Sequence, residues 1–182
     1  MKFSARKLTQ LALLTAVAAA LSALERFLPL ETLVPLPGVK LGLANIVTMF
    51  ALFFLDVPSA AAIVGARCLL GALMGGGVTG LAFSLTGSFL ALFTMLGLKQ
   101  GYGRAFSLFG VSVGGAAAHN LGQVLVAAAV LGDAGIFAYL PVLMVAGLAT
   151  GALTAAVSIP FFHKFGAAAR AAGGVTHERI SR

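Results

Sequence analysis

The sequence predicts an all-α integral membrane protein, a bundle of six transmembrane helices with both termini in the cytoplasm. Hydrophobic residues make up 60% of the 182 residues, whereas only 9% are charged. A soluble domain carries about 25% charged residues. The apolar runs are also long and lack the two-residue alternation of a β-strand, so we expect helices, which pair their own backbone groups within lipid.

The predicted helices are separated by short segments rich in proline, glycine or polar residues. The first helix follows a basic start, MKFSARK, and is too long for the apolar part of a signal peptide, so we interpret it as retained. Prolines precede helix 2, Asp56-Val57-Pro58 precedes helix 3, and three glycines precede helix 4. About 20 residues cross a bilayer, and the predicted helices are 8–28, 41–57, 58–75, 78–98, 105–131 and 137–163. They form one transmembrane domain, 1–166, followed by a basic cytoplasmic tail, 167–182.

The basic residues predict the orientation of the bundle, because cytoplasmic loops carry most of the Lys and Arg. With the N-terminus inside, the outer side holds only Arg26 and Lys40. The cytoplasmic side then holds Lys2, Arg6, Lys7, Lys99, Arg104, Lys164, Arg170, Arg179 and Arg182. Because the net charge of +7 is spread over short segments that flank the helices, we expect no nucleic-acid partner.

Polar side chains of helices 1 to 5 are predicted to converge in the outer half of the membrane. Their depths follow from a rise of about 1.5 Å per residue, and polar residues within lipid are costly enough to be functional candidates. Two cations, Lys40 and Arg67, favour an anionic or carbonyl-rich ligand. The predicted substrate-binding residues are Lys40, Asn45, Arg67, His119, Asn120, Gln123, Glu25 and Ser84.

Each of these residues also has a structural interpretation. Arg67 can pair with Glu25 and hold helix 3 to helix 1, and the partner of Lys40 is either the substrate or Glu25. Amide side chains often join neighbouring helices, and an isolated histidine such as His119 is commonly a satisfied core residue. The inner half of the bundle has few polar residues, which argues against a stand-alone channel.

The sequence lacks the motifs of common enzyme classes. It has no metal-ligand spacing of Cys and His, no G-x-S-x-G and no Walker A motif. Its two aspartates, Asp56 and Asp133, are predicted on opposite membrane faces and cannot form a magnesium-binding cluster. We therefore expect no catalysis, no metal and no cofactor in this chain.

Small residues recur at four-residue spacing on three helices, a pattern that lets helices approach closely. On helices 5 and 6 we expect internal packing through Gly110, Gly114, Ala118, Gly122, Gly147, Gly151 and Ala155. On helix 1 the stripe consists of Ala12, Ala16 and Ala20, and it can pack internally or contact another protein.

The segment PLPGVKLGLANIVTMFAL, which follows the alanine-rich first helix, resembles the family called heptaprenyl diphosphate synthase component I, or Gx transporter family, over about residues 8–165. More distantly, the chain is similar to the substrate-binding S components of energy-coupling factor (ECF) vitamin transporters. That resemblance implies a vitamin site near the outer face and a lid formed by residues 29–40. It also implies that Ala12, Ala16 and Ala20 dock a transmembrane T subunit, which two ATPases drive.

The leading expectation is therefore an ECF S component in the cell membrane of a prokaryote, which captures a small vitamin-like metabolite from outside. Its partners would be the T subunit, the ATPase subunits that hold ATP, the substrate and membrane lipid. The alternative is a non-catalytic membrane subunit associated with heptaprenyl diphosphate synthesis.

Overall fold

The computed structural model describes residues 4–27 and 40–171, in which helices make up the structure apart from short connecting segments. The helices are α1 (Ala5–Leu24), α2 (Asn45–Phe54), α3 (Val57–Gly71), α4 (Gly77–Gln100), α5 (Leu108–Leu131) and α6 (Leu140–Ala171), with short 3₁₀ turns at Glu25–Phe27 and Ala134–Tyr139. Four apolar helical runs are long enough to cross a membrane: Ala5–Leu24, Val57–Gln100, Leu108–Leu131 and Ala134–Pro160. The all-α class is confirmed for the described residues, and so is the presence of apolar helices long enough to span a membrane. The number of spans and the orientation stay predictions.

The long run Val57–Gln100 is a hairpin of two helices. Its direction changes at a π-helical turn, Ala72–Gly76, where Met74 and Gly75 leave helical geometry. In a straight helix, Arg67 and Ser88 would lie about 30 Å apart. Instead, Arg67 Nη2 donates a hydrogen bond of 2.6 Å to Ser88 Oγ. The chain therefore folds back between α3 and α4.

Helix α2 is shorter than predicted. The prediction of 41–57 is wrong at both ends, since the helix spans Asn45–Phe54 and has 10 residues. Its start is delayed because the preceding residues, Lys40–Ala44, are not helical and Gly42 has φ +86°. At the other end, Leu55 leaves helical geometry and Asp56 caps α3 by accepting a hydrogen bond of 2.8 Å from the Ser59 N–H.

Two contacts place four helix ends on one side of the bundle. The Lys7 ammonium, at the start of α1, forms an ion pair of 2.7 Å with Asp56, at the start of α3. The Lys99 ammonium, at the end of α4, donates a hydrogen bond of 2.7 Å to the Leu52 carbonyl near the end of α2. Consecutive helices from α1 to α4 therefore alternate in direction.

The small-residue stripes of α5 and α6 lie at helix interfaces, as expected from their spacing. A Cβ on Gly122 would lie 2.8 Å from the Cα of Gly87 on α4, and a Cβ on Gly151 would lie 2.8 Å from the Cα of Val113 on α5. The stripe of α1 differs, because Ala12, Ala16 and Ala20 are all exposed. Only 11% of the apolar window of α1 is buried, compared with 50% for α5.

Candidate functional site

The segment Lys40–Ala44 enters the bundle and is held there by side chains from several helices. Gln123 on α5 forms a two-point contact with the Lys40 backbone: its Oε1 accepts from the Lys40 N–H at 2.7 Å, and its Nε2 donates to the Lys40 carbonyl at 2.8 Å. The Leu43 N–H donates to Glu25, and Thr150 on α6 donates to the Leu41 carbonyl at 3.3 Å. Non-helical backbone in an apolar bundle requires such partners, because an unpaired peptide group is costly there.

Two glycines let this segment and α4 approach His119. A Cβ on Gly42 would lie 3.0 Å from His119 Cδ2 and 2.8 Å from Asn45 Nδ2. A Cβ on Gly87 would lie 3.0 Å from His119 Nδ1. The imidazole is therefore packed between the Lys40–Ala44 segment and α4, and only 2% of His119 is exposed.

Arg67 is a buried cation held by hydroxyl groups. Its exposed fraction is 4%. One terminal nitrogen donates to Ser22 on α1 at 3.2 Å, and the other donates to Ser88 on α4 at 2.6 Å. The hydroxyl groups orient the guanidinium but do not neutralise its positive charge. That charge interacts with the nearby carboxyl group of Glu25.

The Glu25 carboxyl group lies close to two cations, the Arg67 guanidinium and the Lys40 ammonium. The Lys40 ammonium donates a hydrogen bond of 2.7 Å to Ser84 on α4. Glu25 lies within electrostatic range of both Lys40 and Arg67. Glu25 was the expected partner of Arg67 and a candidate partner of Lys40. In the structure Arg67 bonds Ser22 and Ser88 instead, and Glu25 accepts a hydrogen bond from the Leu43 N–H.

Several buried polar atoms around these charges have no hydrogen-bond partner. We call the group of residues that carries them, together with Lys40, Glu25, Ser84 and Gln123, the polar cluster. A buried polar group without a partner costs about 1–3 kcal/mol. The unpartnered atoms are Asn45 Nδ2 and Oδ1, Thr48 Oγ1, Arg67 Nε, His119 Nε2 and Asn120 Oδ1. His119 Nδ1 lies against the backbone of Gly87. Because buried polar groups in native proteins are nearly always paired, such a concentration of unpaired atoms requires an explanation.

All eight residues predicted to bind substrate lie in the described part of the chain. Seven are buried and Lys40 is half-buried. Asn120 lies toward α6, where its Nδ2 donates a hydrogen bond of 2.5 Å to the Leu143 carbonyl. Their role in binding stays a prediction. The predicted lid, 29–40, falls outside the described residues except for Lys40.

Other members of this region were not predicted as site residues. They are the partners and packing neighbours Ser22, Gly42, Thr48, Gly87, Ser88 and Thr150. A hydroxyl side chain within a helix is a weak indication of a binding site, because it can bond the backbone of its own helix. Thr150 does so as well, since its hydroxyl donates to the Ala146 carbonyl at 3.1 Å. The signal for Gly42 was its position beside Lys40 in the non-helical PGVKLGLAN stretch.

Among the described residues, no group of three or more His, Cys, Asp or Glu side chains has the arrangement of a metal site. In comparisons with known proteins, the family model described as heptaprenyl diphosphate synthase component I matches residues 14–160. No curated protein and no solved structure matches the chain.

Proposed function

The chain belongs to the heptaprenyl diphosphate synthase component I family, and we propose that it is a non-catalytic membrane subunit that binds a small polar molecule in the polar cluster. The observation that carries this proposal is the set of buried, unpartnered atoms around Arg67. Structural polar groups in a membrane bundle are normally satisfied by neighbouring helices. Here Arg67 Nε, His119 Nε2 and both amide atoms of the Asn45 side chain have no partner.

The finer form of the proposal is an S component of an ECF-type importer in a prokaryotic cell membrane. Six spans with cytoplasmic termini would place the polar cluster in the outer half, from which a vitamin-like, anionic or carbonyl-rich metabolite enters. The alternating directions of α1 to α4 support this arrangement. The exposed stripe of α1 supports docking to a T subunit, whose partner ATPases would hold the ATP.

The second candidate is a membrane subunit that assists a heptaprenyl diphosphate synthase. The family description favours this setting over an importer. In that case the polar cluster joins helices, and the partner of the chain is the synthase rather than a T subunit.

Native mass spectrometry of the protein purified in detergent tests the proposal. We expect a stoichiometric polar metabolite that is lost in Arg67→Ala and kept in Arg104→Ala, since Arg104 is an exposed loop residue of the same type. Lipid alone, with a prenyl diphosphate synthase in the purified complex, would favour the second candidate. Recovery of the metabolite in equal amount from both variants would contradict the assigned site.

A further inference from the structure

Helix α1 forms one wall of the polar cluster and is the most loosely packed of the long helices. Among the described helices it packs against α3 and α2, and not against α4, α5 or α6. Its buried residues are Ala18 and Ser22, whereas Ala20 and Leu24 on the opposite face are exposed. At this end of α1, a single helix therefore separates the Arg67 guanidinium from the surroundings of the bundle.

Two hydrogen bonds join this end of α1 to the polar cluster. Ser22 Oγ accepts from Arg67 at 3.2 Å, and Glu25, in the turn that follows α1, accepts from the Leu43 N–H. Because α1 does not pack against α4, the Arg67 guanidinium bridges these two helices through its second bond, to Ser88. Both bonds of α1 lie within one turn of each other, so a movement of this end releases them together.

The other end of α1 is anchored separately. The Lys7 ammonium forms its ion pair of 2.7 Å with Asp56, and Leu11 and Leu14 pack against the hydrophobic core. Lys7 and Ser22 lie about 22 Å apart along the helix axis. The first half of α1 can therefore stay in place while its last turn moves.

The remaining walls of the polar cluster are held more firmly. Gln123 binds both backbone groups of Lys40, and Thr150 bonds the next carbonyl of the Lys40–Ala44 segment. Helices α4, α5 and α6 meet in contacts where Gly122 and Gly151 leave no room for a Cβ. Segments with few buried contacts open at the lowest cost in free energy. Of the walls around the cluster, the end of α1 is therefore the one that opens most readily.

We infer that the Ser22–Glu25 end of α1 is a gate of the polar cluster, which moves away from Arg67 and Leu43 while the Lys7 end stays in place. This inference goes beyond the proposed function, since it concerns how the cluster opens and not what it holds. A molecule then reaches the guanidinium past the last turn of α1 rather than through the Lys40–Ala44 segment.

The native cysteine supplies the measurement. Cys68 is the one cysteine of the chain, follows Arg67 on α3 and is 2% exposed, with its Sγ 3.9 Å from Ser88 Oγ. A maleimide dye that fluoresces on reaction with this thiol reports thermal unfolding when the protein is heated. At constant temperature and without denaturant, the rate of the same reaction reports local opening of the folded protein beside Arg67.

We expect Ser22→Ala to speed the labelling of folded protein at Cys68 about three- to twentyfold, the effect of losing one hydrogen bond between membrane helices. Gln123→Leu removes both hydrogen bonds to the Lys40 backbone and should leave this rate unchanged. Gly151→Ala is the control for general destabilisation, because its Cβ overpacks the interface of α5 and α6, which α1 does not touch. It should lower the unfolding temperature and leave the rate of labelling in the folded protein unchanged.

Labelling of Ser22→Ala at the wild-type rate would overturn the inference. So would faster labelling of Gln123→Leu than of Ser22→Ala, because the Lys40–Ala44 segment would then be the gate. If the rates of all three variants followed their losses of thermal stability, Cys68 would react only through global unfolding, and the inference would again be wrong. None of these results bears on the proposed binding function, which native mass spectrometry tests separately.

Hydrogen exchange measured by mass spectrometry locates the movement along α1. Ser22→Ala should speed the exchange of backbone amides in residues 20–25 and leave those of residues 8–14 unchanged. Equal acceleration along the whole helix would contradict a gate that moves at one end only.

Discussion

At the residue scale, Gly42 determines how the Lys40–Ala44 segment enters the bundle. Its φ of +86° is a conformation that L side chains rarely adopt, and a Cβ there would press on Asn45 and His119. Left-handed backbone costs a non-glycine residue about 1–2 kcal/mol, and the close contacts add to this. We therefore predict that Gly42→Ala lowers the free energy of unfolding by about 2–4 kcal/mol, measured by Cys68 labelling during thermal unfolding.

Gly103 provides the matched control for this prediction. It has φ +81°, and a Cβ there would meet nothing within 4 Å. Gly103→Ala should therefore show the backbone cost alone, about 1–2 kcal/mol. Equal destabilisation by the two substitutions would contradict the packing of Gly42 against His119.

The sequence predicted individual polar residues better than it predicted their partners. Arg67, His119 and Gln123 were identifiable because polar side chains in apolar helices are rare. Their partners were not, because pairing depends on how helices rotate and cross. Gln123 binds the backbone of Lys40 across 83 residues of sequence, and no local pattern in either segment specifies that contact.

At the scale of helices, Asp56 both caps α3 and joins it to α1. The hydrogen bond from Lys7 is the largest of the causes that lower the pKa of Asp56 from 3.8 to about 2. Because the folded-state pKa is the lower one, the stabilisation is present above about pH 4 and is lost as the pH falls toward 2. We predict that wild type is more stable than Asp56→Asn by less than about 1 kcal/mol at pH 6, because the Lys7–Asp56 ion pair is partly exposed. This difference should disappear near pH 2. Thermal unfolding followed by circular dichroism at the two pH values measures it.

Asp56→Ala separates the cap from the ion pair. Asparagine still accepts the hydrogen bond from the Ser59 N–H, whereas alanine does not. Asp56→Ala should therefore cost about 1 kcal/mol more than Asp56→Asn, and this excess should persist at pH 2. If the excess also vanished at low pH, the capping role would be contradicted.

The end of α5 was predictable because Gly132 is a breaking residue: the helix ends at Leu131, as predicted, and Gly132 has left-handed geometry. Its start was predicted at 105 and is Leu108, because Ser107 caps the helix by accepting a hydrogen bond of 3.2 Å from the Gly110 N–H. The start of α2 was missed because Leu41 and Leu43 are as apolar as the helix that follows. What keeps them out of α2 is a set of hydrogen bonds to Glu25, Gln123 and Thr150, which are distant in sequence.

At the scale of the whole molecule, α1 is the helix with the least buried surface. Its small-residue stripe is exposed and adjoins large exposed side chains, including Leu13, which is 66% exposed, and Val17, which is 44% exposed. Composition and spacing predicted the stripe but could not say whether it packed inside the bundle. That distinction needed the positions of the other helices, of which α3 is the main neighbour of α1.

The exposed alanine stripe of α1 can contact either membrane lipid or a helix of a partner protein. One substitution distinguishes these two possibilities. We predict that Ala16→Phe weakens binding of a T subunit, measured by co-purification, about five- to 150-fold, because a bulky side chain at a close-packed contact costs about 1–3 kcal/mol. Ligand retention in native mass spectra should be unchanged, since Ala16 is exposed and is not part of the polar cluster. The control is Ala129→Phe, which adds the same bulk at an exposed position of α5 and should leave assembly intact. Recovery of the T subunit with Ala16→Phe at the wild-type level would mean that the stripe faces lipid, and the importer setting would then lose its main structural support.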